Sequence, residues 1–247
     1  DPDDIDRVKQ LAKQTWVRHF DDRLGLSEDE MQLRKNTPPV PTPAIEHLLA
    51  DKQEHLVPRT DDGNPFGDNP YDFKMDVPNH AFNLGEISNL CIERGTLTDE
   101  DRFKINDHIV QTINMLKKLP FPKELKRVPE WAGNHHEKLD GTGYPRRLNA
   151  DDLSIPERIM GIADIFEALT AADRPYKKAK TLSDSVRILS FMRNDGHICP
   201  DLFDLFLTSG IYRKYAEEHL RPEQIDDVDI SQFVRKPENN NPQHQES

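Results

Sequence analysis

The sequence predicts an all-α fold, and three observations carry that expectation. Apolar residues recur at helical spacing wherever a segment shows clear periodicity. Two stretches, Thr98-Asp99-Glu100-Asp101 and Ser154-Ile155-Pro156-Glu157, carry the reciprocal N-cap signature of a helix start. Glycine or proline stands where the periodic segments should stop, at Gly25, Gly95, Pro120 and Gly210.

In chain order, Ile5, Val8, Leu11, Ala12, Thr15, Trp16 and Phe20 predict one helix over residues 3–24, ended by Gly25. Ser27 caps a short second helix reaching about Leu33. Residues 37–43 hold four prolines and must be extended, and residues 51–78 read as a long loop. A helix is expected over 83–94. The next starts at Thr98 and runs to about Leu119, with Ile105, Ile109, Thr112 and Leu116 on one face. His108 lies one turn from Ile105 and is expected to point inward, as a satisfied core histidine or as a ligand. Pro129 fits the first turn of a helix that carries Trp131 and delivers His135 and His136 near its end. The helix from Ser154 to Leu169 reads as apolar all round and therefore buried, with Asp164 in its middle. A buried carboxylate must be paired, protonated or on a metal. Thr181 caps a helix to Arg193, and another runs from Pro200 to Ser209. Residues 221–247 turn polar, and 239–247 read as disordered.

Composition bounds the function. The chain has 247 residues, enough for one large domain or one and a half. A net charge of −12 argues against a general nucleic-acid-binding surface, so no DNA partner is expected. Cys91 and Cys199 form no metal-binding or redox spacing, which suggests a reducing compartment. No apolar run reaches membrane-spanning length and no leader is evident, so a soluble, cytoplasmic protein without a membrane partner is expected. Oligomeric state is left open. The start at Asp1-Pro2, without Met, is read as the sign of a longer protein.

Chemistry concentrates at His135-His136-Glu137-Lys138-Leu139-Asp140-Gly141-Thr142-Gly143-Tyr144-Pro145. Histidine and carboxylate suit zinc, iron or manganese, although a polar helix end running into a loop would show the same residues. Gly141 and Gly143 allow positive φ, and Pro145 stiffens the exit. Neighbouring residues on a helix point roughly 100° apart, so both histidines serve one site only if it is as wide as a two-metal centre. His108, His135, His136 and Asp164 come from three predicted helices, which is how metal sites in helical bundles are built. Further on, Arg174, Lys177, Lys178 and Lys180 form a basic cluster in an acidic chain. It is either a solvated helix end or a holder of phosphate oxygens.

These segments resemble the HD-GYP domain: His135 to Pro145, Ile-Ala-Asp-Ile-Phe-Glu-Ala-Leu-Thr at 162–170, Asp-Arg-Pro-Tyr-Lys at 173–177, and Gly-Thr-Leu-Thr at 95–98. The resemblance covers roughly residues 79–220. It implies an HD-superfamily helical bundle and a metal-dependent phosphohydrolase that cleaves cyclic di-GMP at a centre of two or three iron or manganese ions. By the same resemblance His108, His135, His136 and Asp164 match metal ligands. Arg174 and Lys177 match residues that hold substrate phosphates, and Gly143, Tyr144 and Pro145 match the substrate-binding turn that names the family. Glu137 and Asp140 are expected to support the ligands or the turn rather than to bind metal. The implied partners are a cyclic dinucleotide substrate and a sensory or receiver domain in the same longer chain. One departure stands out: the family's His-Asp pair, with a lysine three residues on, is absent from all 247 residues. Degeneration into an inactive binding or interaction module is one explanation. The other, preferred here, is that residues 1–78 form a helical and Pro-rich insertion or linker, residues 79–220 the C-terminal part of the domain and 221–247 a polar tail, the His-Asp half lying before Asp1.

Overall fold

The computed structural model describes residues 2–60, 63–93, 95–172 and 179–235. Arg174 and Lys177 lie outside the described residues. Two units follow along the chain, residues 1–108 and 109–247, and the division falls inside one helix. The described elements are α1 (Pro2–Leu11), β1 (Thr15–Arg18), α2 (Glu28–Leu33), β2 (Ala44–His47), β3 (Leu56–Pro58), β4 (His80–Asn83), α3 (Glu86–Leu90), α4 (Asp99–Leu116), α5 (Val128–Gly133), α6 (Ile155–Thr170), α7 (Leu182–Asn194), α8 (Pro200–Thr208) and α9 (Ile211–His219). The all-α expectation holds. Sheet among the described residues is confined to two antiparallel two-stranded ribbons. None of the described helices is long and apolar enough to cross a membrane.

In the first unit, the helix expected over 3–24 stops at Leu11. The chain turns and re-enters as β1, which pairs with β2 so that Val17 faces Ile45 and Arg18 faces Ala44. Thr15, Trp16 and Phe20 had supplied a helical repeat by spacing alone. Their aromatic and β-branched side chains suit a strand better, and a partner strand from after the prolines decides the matter. Arg18, 3% exposed, is matched by Glu46, whose Oε1 accepts from both Nε (3.1 Å) and Nη2 (3.0 Å). Ser27 caps α2 with a full capping box, as expected. The helix expected over 83–94 shortens to α3, because residues 80–83 are taken by β4. Asp51 starts α3 by accepting from the backbone N–H of Ile87 and Ser88.

Helix α4 begins as the sequence indicates. Thr98 Oγ1 accepts from Asp101 N–H at 3.1 Å, and Asp101 Oδ2 accepts from Thr98 N–H at 3.3 Å. Its buried stripe is Phe103, Ile109, Val110 and Ile113, while Ile105 is 53% exposed. The expected face was therefore out of phase by about one residue, or roughly 100°. His108 consequently lies on the exposed side, not inward.

The second unit has its core where α6 to α9 meet. Ile162, Phe166, Leu182, Val186, Leu189, Phe203, Leu207, Tyr212 and Ala216 pack together. Burying each large apolar side chain there contributes about 1.5–3 kcal/mol. Helix α6 is not buried all round. Its inner face is Glu157, Ile162, Phe166 and Thr170, and the opposite face leaves Ile155 and Ile159 exposed. A Cβ on Gly133 would lie 2.7 Å from Ile113 Cδ1, so glycine lets α5 close on the second half of α4. That contact sets α5, which leads into the histidine turn, against the second half of α4.

Candidate metal centre

Helix α5 ends at Gly133, so His135 and His136, expected near its end, sit in the turn just beyond it. Glu137 N–H donates to Asn134 O at 3.0 Å and closes that turn. The two residues flanking the histidines, Asn134 and Glu137, are buried. Asn134 Nδ2 donates to Glu157 Oε1 at 2.5 Å, and its Oδ1 accepts from Arg146 Nη2. Glu157, 3% exposed, uses its other oxygen in the capping box of α6, accepting from Ser154 N–H and Oγ–H, each at 2.5 Å. Glu137 accepts from the backbone N–H of Arg146 (2.6 Å) and Leu148 (2.9 Å). Burial pushes the Glu137 carboxyl above its ordinary value, against the pull of those donors and of Arg146. The histidine pair is thus clamped from both sides by satisfied, buried polar groups, which fix one geometry.

The turn that follows folds back on the same backbone. Asp140 Oδ1 accepts from Thr142 N–H (2.9 Å) and Oγ1–H (2.7 Å), and these bonds lower its pKa despite some burial. Gly141 has φ +76°, as its type allows. Gly143 does not need positive φ. A Cβ there would lie 2.5 Å from Glu137 Cα, so glycine is required for close approach instead. Tyr144 N–H donates to His136 O at 3.3 Å, and the Tyr144 ring stacks on the His136 ring, centroids 4.9 Å apart and planes 25° apart. Burial, helped by the charge of Asp164, pushes the Tyr144 hydroxyl up to about 12. Pro145 is fully buried.

Three histidines come together: one ring nitrogen from each of His108, His135 and His136 lies within 4.8 Å of the others. His108 ends the first unit along the chain, on a helix whose remaining turns belong to the second. His135 Nδ1 lies 2.7 Å from Ala132 O, and His108 Nδ1 lies 2.6 Å from Ile105 O. A carbonyl can only accept, so both Nδ1 atoms carry the proton and both Nε2 atoms keep a lone pair in the neutral ring. Asp164 is half-exposed rather than buried, with Oδ2 3.9 Å from His136 Nδ1. A nitrogen-rich set with a carboxylate beside it fits a divalent transition metal. Asn134, Arg146 and the Glu157 link to Asn134 were not anticipated from sequence. The available signal was Glu157, already marked as the acid of a capping box.

Comparison with known proteins identifies a family and several relatives. The family model for the HD domain matches residues 43–202. A 3'3'-cGAMP-specific phosphodiesterase of Vibrio cholerae is 45% identical over 127 residues, covering 51% of this chain and 26% of that protein. A second from the same organism is 41% identical over 104 residues, covering 42% of this chain and 22% of that protein. A cyclic di-GMP phosphodiesterase of Pseudomonas aeruginosa is 31% identical over 140 residues, covering 56% and 30%. The chain thus matches less than a third of the length of each of these relatives. The chain belongs to the HD-domain family, and its motifs resemble those of HD-GYP domains.

Proposed function

We propose that this chain carries part of the metal centre and the substrate-binding turn of a phosphodiesterase acting on cyclic dinucleotides. The observation behind it is the convergence of three histidine nitrogens, two of them with their Nδ1 protons committed to backbone carbonyls. In this reading His108, His135, His136 and Asp164 are ligands to a centre of two or three divalent ions, iron or manganese. Such ions supply Lewis acidity toward the phosphodiester and lower the pKa of water. The chain's own residues do the positioning. The carbonyls of Ile105 and Ala132 orient two rings, Glu137 and Asp140 hold the turn, and Arg174 and Lys177 hold substrate phosphates. Gly143 and Pro145 are buried, which leaves Tyr144 as the member of the Gly-Tyr-Pro turn with a side chain able to border the site. Cyclic di-GMP is the substrate the motifs suggest. The relatives at 45% and 41% identity, named for 3'3'-cGAMP, support that compound as a second reading.

The test is Mn²⁺ binding by the full 247-residue chain, with chromatography of cyclic di-GMP and 3'3'-cGAMP after incubation. Mn²⁺ should bind, and His135→Ala should abolish the binding. Hydrolysis by this chain should be slow or absent, because its sequence contains no His-Asp pair to complete the ligands. No Mn²⁺ binding would remove the metal-centre reading. Rapid hydrolysis would remove the expectation of incompleteness, and the faster-cleaved dinucleotide would settle the substrate.

A further inference from the structure

We infer that Tyr144 is a positioning residue for His136: its ring is a plate that fixes the plane of that imidazole at the metal centre. The inference rests on the reading of His136 as a ligand and adds a role to a residue which the motif alone would give to substrate.

Three observations point the same way. The rings are near-parallel at 4.9 Å, a stacked arrangement, whereas His135 meets His136 at 43°. The backbone contact from Tyr144 N–H to His136 O ties the two residues directly, so plate and ring belong to one turn. Gly143 lets the turn press onto Glu137 and Lys138, and buried Pro145 anchors its other side.

The position demands area rather than a hydroxyl, and this gives the test. Co²⁺ is titrated into the full chain carrying Tyr144→Phe, Tyr144→Leu or His136→Ala, followed by its visible absorption. His136 ring-proton shifts are read by NMR without metal. Tyr144→Phe should keep Co²⁺ affinity within about twofold and keep the ring-current shift of His136. Tyr144→Leu should lose the shift and weaken Co²⁺ about tenfold, the scale typical for residues that orient ligands. Far-UV circular dichroism of the Leu variant checks that it is folded, and the Phe variant tests the idea independently if it is not. Tyr144→Phe losing affinity as much as Tyr144→Leu overturns the plate, because the hydroxyl would then be the working group. Wild-type affinity in Tyr144→Leu, with binding lost in His136→Ala, overturns it while leaving the metal centre intact. Unchanged affinity in His136→Ala overturns both.

Discussion

Ser27-x-x-Glu30 in the first unit and Ser154-x-x-Glu157 in the second are the same motif with different fates. Both form full capping boxes, and both glutamates accept from their serine's N–H and Oγ–H through Oε2. Around Ser27 the box is exposed, and it starts a six-residue helix with no buried residue. Around Ser154 the glutamate is buried, and its second oxygen reaches across to Asn134, next to the histidine pair. A third box, Thr98 with Asp101, is half-buried and starts the helix that carries His108. A capping box is local chemistry. What it is worth depends on what the unused oxygen meets and how much water remains.

That graded series can be broken in order. Glu157→Ala should have the largest effect. It strands the Asn134 amide and Ser154 N–H in a buried setting, at about 3 kcal/mol by the usual cost of unmade buried bonds to a charged group. Thermal unfolding and Co²⁺ titration should show a lower melting temperature and about tenfold weaker binding together. Loss of stability with unchanged Co²⁺ affinity would cut the proposed link to the histidines.

Thr98→Ala should come next, costing about 1 kcal/mol as a lost N-cap. For a chain of this size that is a fall of about 2–4 °C in melting temperature. Since His108 is more than two turns from the cap, Co²⁺ affinity should change by less than about twofold. A larger loss would show that fraying at Thr98 reaches the site.

Glu30→Gln should be the smallest change, with no effect on Co²⁺ binding. It has a pH signature nonetheless. The Ser27 backbone N–H, with the Ser27 hydroxyl, holds the Glu30 carboxyl below its ordinary value of 4.5. A carboxyl lowered in the folded state contributes stability above its unfolded value, lost as pH falls through the folded one. The wild type should therefore lose slightly more stability than Glu30→Gln below pH 4.5, and parallel curves would deny the bond any role in solution.

The capping boxes at 98 and 154 were legible because their partners are three residues apart. So were the histidine pair and the glycine turn. The phase of α4 was not, because Ile105 and Ile109 fit two adjacent faces and only packing chooses between them. Strand β1 was missed because its partner lies across the proline stretch. The reason for Gly143 was misread as backbone freedom, since the approach of Glu137 is tertiary. Asn134 was silent for the same cause: an asparagine beside two histidines reads as a turn until Glu157 and Arg146 are seen on its two ends.

Asn134 also gives the site a direction of chemical ageing. Its amide has one end on a carboxylate and the other on a guanidinium, so it cannot be turned round. Deamidation would exchange the nitrogen for an oxygen and set two carboxylates where a donor had met an acceptor at 2.5 Å. Two such groups cannot both stay ionised, so one takes up a proton or the histidine turn lets go. The change of one atom in a side chain that touches no metal would then be felt first at the metal.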